Sequence, residues 1–107
     1  MSETAVASSL PVVSPQVADF AAKQGVAEYL PGVIEMTRRI YPGRSITIQL
    51  EEDAEIADDW CIMLDVDMTN LEVQQIAETQ WQWCSDIFNH CPATHVHFFR
   101  LGMVMSA

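Results

Sequence analysis

The residue types best suited to chemistry gather near the C-terminus, where Cys84, His90, Cys91, His95 and His97 fall within fourteen positions. Thiolate and neutral imidazole are the usual zinc donors. Cys84 and Cys91, seven apart, share one face of a helix, and His95 and His97, two apart, share one face of a strand. The set contains no closely spaced cysteine pair and no paired histidines at helical separation, the patterns that mark zinc sites. A plainer account serves better. Both cysteines occupy an apolar helix stripe as small hydrophobes, and the two histidines line a partly wet sheet face. No metal or cofactor is expected, and His95, His97 and Asp65 are the first ligands to test if one binds.

Nucleophilic and phosphoryl chemistry are less well supported. Cys91 is placed at a helix end, whose partial negative charge raises a thiol pKa, whereas reactive cysteines favour helix N-termini or cationic surroundings. Ser85 falls mid-helix, and no G-x-S-x-G elbow is present. Asp65 and Asp67 share one strand face, an arrangement that can hold a divalent cation. Phosphoryl transfer normally adds a glycine-rich loop or a phosphate-binding base, and no such motif occurs. Residues 53–59 lack the central glycine and closing glutamate of an EF-hand loop.

Charge is the most uneven property of the chain. Of fifteen acidic residues, Glu51, Glu52, Asp53, Glu55, Asp58, Asp59, Asp65 and Asp67 fall on what reads as one β-hairpin, against five basic residues in the whole sequence. A net charge of −10 repels phosphate backbones, and Lys23, Arg38, Arg39, Arg44 and Arg100 are too few for a nucleic-acid stripe. No apolar run approaches the roughly 20 residues that span a bilayer. Residues 1–9 carry no basic residue and no sustained apolar stretch, so they read as a flexible leader rather than a signal peptide. Three cysteines make no even framework, and the expected setting is the cytoplasm with reduced thiols.

At 107 residues, half of them apolar, the chain is expected to form one domain over residues 10–107. Residues 10–13 are extended by composition, and Pro11 confines such a strand to a sheet edge. Ser14 followed by Pro15 is a helix start, with Val17, Phe20 and Ala21 as its apolar stripe and Gly25 as its end. Val26, Tyr29, Leu30, Val33, Met36 and Ile40 form a second helical pattern, which Pro31 and Gly32 kink or restart. From Arg44 the period becomes two: Ile46, Ile48 and Leu50 face one side, and Ile62, Leu64 and Val66 repeat the pattern after the acidic link. Thr69 and Asn70 are placed to cap a helix over 71–91, with Val73, Ile76, Ala77, Gln80, Cys84, Ile87 and Cys91 as its inner stripe. Trp81 and Phe88 fall outside that stripe. A last strand over 94–105 puts Val96, Phe98 and Val104 on one face and Phe99, Leu101, Met103 and Met105 on the other.

These elements predict an α+β two-layer sandwich, with helices on one face of a three- or four-stranded, mainly antiparallel sheet in the order (β)αα-ββ-α-β. If residues 10–13 pair, the order resembles the ferredoxin-like arrangement, a topology that carries no function by itself. An apolar second sheet face calls for cover, so a homo-oligomer is expected, with Trp81 and Phe99 among its contact residues. Glu52, Asp53, Asp58 and Asp59 are the expected contacts for a basic protein partner. The functional expectation is a small interaction protein, such as an adaptor, an inhibitor or an antitoxin-like chain. Two rivals are an enzyme using Asp65, His95 and His97 on the open sheet face, and an accessory subunit of a larger complex.

Overall fold

The computed structural model describes residues 13–105. The expected leader and residues 10–12 of the expected edge strand lie outside the described residues, and Val13 belongs to no strand. Helix α1, Pro15–Lys23, starts where the sequence signals it: Ser14 is extended and its Oγ accepts the Val17 N–H at 3.2 Å. That bond satisfies one of the donors every helix start leaves open. Ser14→Ala is expected to cost about 1 kcal/mol in urea unfolding, and Ser14→Asp to restore it. Val17 and Ala21 are buried, and Gly25 closes the helix at φ +73°, where a side chain would be strained.

Proline then restarts the chain. Helix α2 spans Leu30–Ile40, with Pro31 in the first turn, where its missing N–H is not needed. It buries Leu30, Val33, Ile34, Met36 and Thr37 and carries Arg38 and Arg39 in its last turn, the end that favours cations.

Strands β1, Ile46–Glu52, and β2, Trp60–Asp67, form an antiparallel pair. Ile46 stands opposite Val66, Ile48 opposite Leu64 and Leu50 opposite Ile62, so the aliphatic sets share one face as the period of two requires. Strand β3, Phe99–Val104, pairs with β2 in parallel, and the sheet order is β1-β2-β3. The sheet is therefore mixed rather than mainly antiparallel. The reason is the connection: a helix carries the chain from the end of β2 back to its start, which is how parallel neighbours are joined. Because β2 and β3 are hydrogen-bonded neighbours, no strand lies between them, as the split order of a ferredoxin-like sheet would need.

Strand β3 is also shorter than its apolar run. Val96–Phe98 form a 3-10 turn instead, in which the N–H of Phe98 donates to the carbonyl of His95 at 3.1 Å. Phe98 meets Phe20 of α1 edge-on, centroids 5.9 Å apart. With Val96 and Phe98 out of the strand, Phe99, Leu101 and Met103 share the inward parity with Ile62, Leu64 and Val66. The outward parity holds Arg100, Gly102 and Val104, so β3 is not apolar on both faces. A Cβ at Gly102 would collide with the Asp65 carboxylate, which accepts from Gln49 Nε2 at 2.7 Å.

Helix α3, Val73–Asp86, is followed by a 3-10 turn at Ile87–Asn89. Its N-cap is Glu72, not Thr69 or Asn70. The Thr69 backbone N–H donates to the Asp67 carboxylate at 2.9 Å, and Asn70 turns the chain at φ +71°. The inner row of α3 also differs from its expected phase. Ile76, Thr79 and Gln80 are half-buried, Trp83 and Ile87 are buried, and Val73, Ala77 and Cys84 face solvent. Trp83 decides the phase. Its indole N–H donates to Thr37 Oγ1 at 2.8 Å, and that hydroxyl donates to the Val33 carbonyl at 2.8 Å, so a buried polar chain ties α3 to α2. Buried residues from all three helices and the inward sheet face join one core.

Candidate interaction surfaces

The acidic link is a built turn rather than a bare run of charge. Asp53 Oδ1 accepts the backbone N–H of Glu55 at 2.7 Å and of Ile56 at 3.0 Å, and its own N–H donates to the Asp59 carbonyl at 2.8 Å. Glu52 accepts the N–H of Asp58, which sits at φ +64°. Arg100, reaching from β3, lies 3.6 Å from Asp53 and 3.8 Å from Asp59. The link thus sorts its acids. Asp53 and Asp59 share a cation, whereas Glu52 has no ion pair among the described residues.

The backbone amides of Glu55 and Ile56, and less strongly Arg100, hold the Asp53 carboxyl below the ordinary aspartate range. Asp67 is lowered in the same direction, first by the Thr69 hydroxyl, then by the Thr69 amide, with a smaller effect from Arg44. Arg44 also donates to the carbonyls of Asp67 and Thr69. Depressed carboxylates stabilise the fold above their unfolded pKa, and this contribution is lost as pH falls through the lower folded value. Carbon-detected NMR titration is expected to give midpoints below the ordinary value at both residues. Arg100→Gln should move Asp53 only part of the way back, because the two amides outrank the guanidinium. A complete return would assign the shift to Arg100 instead.

A second surface lies on α3 and the 3-10 turn that follows it. Val73, Ala77, Trp81, Cys84 and Phe88 form one exposed row beside the buried one, with Val73 84%, Trp81 72% and Phe88 56% exposed. Beside this row Met103, of the inward parity of edge strand β3, is also exposed, and Gln80 Nε2 sits 3.5 Å from its Sδ. Phe99, by contrast, is 3% exposed and belongs to the core, so its side chain is not available to a partner.

The chemical candidates are dispersed. His95 and His97 pack in an aromatic group, His97 with its centroid 4.0 Å from that of Phe98 and His95 beside Tyr29 at 6.1 Å. Asp65 bonds Gln49 on the outward sheet face instead. Among the described residues no three of His, Cys, Asp and Glu are grouped to hold a metal. Burial pushes the Cys61 and Cys91 thiols up, opposite to the change that activates a nucleophile.

Two cavities of about 300 Å³ each open on the surface. The first, between α1 and α2, is wholly apolar in its lining, including Ala21, Leu30 and Ile34, and offers no group to orient a ligand. The second lies between α1 and the hairpin, lined by Gln16, Asp19, Phe20, Lys23, Leu50 and Trp60. Sequence reasoning did not single out Trp60; its place at the strand start beside the link was the available signal. Among the described residues no helix is long and apolar enough to cross a membrane. Compared with known proteins, the chain matches no family model, no curated protein and no solved structure.

Proposed function

We propose that this chain is a small protein-interaction module that pairs with itself through the outer row of α3 and offers its anionic hairpin to a basic partner. An adaptor, an inhibitor and an antitoxin-like protein all fit this description. The observation that carries the reading is the exposed row formed by Val73 and Trp81 on α3 and Phe88 in the 3-10 turn that follows it. Aromatic side chains cover 150–250 Å² each, so the row presents roughly 400 Å² of apolar surface. That is already the size of the largest patch on an ordinary monomer.

Two physical points support a second copy as the cover. Most of the charge that opposes self-association sits on the hairpin: the row is flanked by Gln74, Glu78 and Ser85, with Glu72 beside Val73 at the helix start. A specific dimer needs about 600–1,000 Å² per partner, which the row alone does not reach. Met103, of the inward parity, and Met105 just beyond the strand extend it toward that range. With the helices taken as one layer on the inward sheet face, this contact lies at the edge of the sheet. The outward face would stay wet. Equilibrium sedimentation tests the reading, with a dimer mass expected at high micromolar concentration. A 12.0 kDa species alone under those conditions would overturn it.

A further inference from the structure

We propose that the cavity between α1 and α2 is filled by the chain's own residues 10–12, with Leu10 as the side chain that enters it. The inference is independent of self-association and of the hairpin. Among the described residues every side chain that lines this space of about 300 Å³ is aliphatic, including Ala21, Leu30, Pro31 and Ile34. Such a site selects for apolar bulk, because nothing in it replaces the water that a polar group gives up on entry. Val13, where the described chain begins, is itself part of the lining and packs against the core. The residues before it therefore set out from the cavity wall, and Leu10 lies no more than about 10 Å from Val13.

Three observations select this occupant. The chain carries a net charge of −10, yet no residue between Glu3 and Asp19 is charged, so the segment leading into Val13 matches the uncharged lining. Ser14 has φ −68° and ψ 155°, the polyproline II conformation. Pro11 has its φ fixed near the same value by its ring, and Leu10, preceding a proline, is restricted to extended or polyproline II backbone. That helix has three residues per turn, so residues three apart share a side. Continued back from Ser14, it puts Leu10 on the side of Val13, toward the cavity. Tethering adds to the selection. A segment joined directly to its site acts at an effective concentration on the order of millimolar, which a free apolar partner has to exceed.

The test is NMR of the full chain with carbon-13 labelled Leu, Ile, Val and Ala methyls, the Leu10 resonances being assigned through Leu10→Ser. Nuclear Overhauser contacts are expected from the Leu10 methyls to those of Ala21 and Ile34 within one chain, and Leu10→Ser should shift both of the latter. Ala18→Glu places a carboxylate in the lining from an exposed position of α1. It should abolish the Leu10 contacts and bring the Leu10 methyl shifts to those of an unstructured peptide. The Trp83 indole N–H, bonded to Thr37 in the core, should keep its resonance in both variants as the sign of an intact fold. Absence of any Leu10 contact to Ala21 or Ile34 overturns the proposal, and so does persistence of those contacts in Ala18→Glu. A sample mixing labelled and unlabelled chains decides which chain supplies the segment. Contacts confined to one chain support the proposal, whereas contacts that cross between chains overturn it in favour of a second copy's segment.

Discussion

Replacing Trp83 with alanine is expected to lower the unfolding free energy by about 3–5 kcal/mol, the range for deleting a large aromatic side chain from a core. For a domain of this size that is a large part of the total stability. Trp83 is 4% exposed and spans from α3 to α2, so its loss leaves a cavity and also removes the donor to Thr37. Thr37→Val isolates the polar part: it keeps the shape, leaves the indole N–H buried without its partner, and should cost about 1–3 kcal/mol. The two substitutions share one contact and should therefore be non-additive in a double-mutant cycle. Urea unfolding followed by far-UV circular dichroism measures all three. A loss under 1 kcal/mol for Trp83→Ala would mean that α3 is held by something other than this bridge. Trp81, two residues away and 72% exposed, serves as the control, since its replacement by alanine should change stability by no more than about 0.5 kcal/mol.

The same control becomes the most damaging substitution when association is measured. Trp81→Ala is expected to raise the dissociation constant of the proposed dimer at least about 30-fold, the effect of losing a central aromatic anchor worth 2 kcal/mol or more. Phe88→Ala, at the end of the row, should weaken it less. Neither should alter unfolding of the isolated chain, because neither side chain contributes to the core. This separation is the useful feature of the pair Trp81 and Trp83. One reports the proposed interface, the other the fold. Unchanged sedimentation of Trp81→Ala would move the contact away from α3, with the β3 edge at Met103 to Met105 as the next surface to examine.

Elements whose signals are local could be read along the chain. Ser14-Pro15 starts a helix because the cap and the first turn involve only residues within three positions. The faces of β1 and β2 follow from alternation, since a strand turns each successive side chain to the opposite side whatever lies beyond. The anionic link was legible as charge, and so was the placing of Trp81 and Phe88 outside the helix's inner row. The remaining features follow from contacts between distant parts of the chain. The phase of α3 was ambiguous because two adjacent rows, one through Ile76 and Ile87 and one through Val73 and Ala77, are both apolar. Periodicity counts apolar residues on each, whereas the choice depends on Trp83 finding a hydroxyl forty-six residues earlier. Parallel pairing of β3 and its start at Phe99 depend on where a helical connection returns the chain and on Phe98 packing against Phe20. The sorting of the acids depends on Arg100, which meets Asp53 and Asp59 only once β3 lies beside β2. Each of these rests on contacts between residues far apart in the chain, and a pattern read along a sequence carries no term for such contacts.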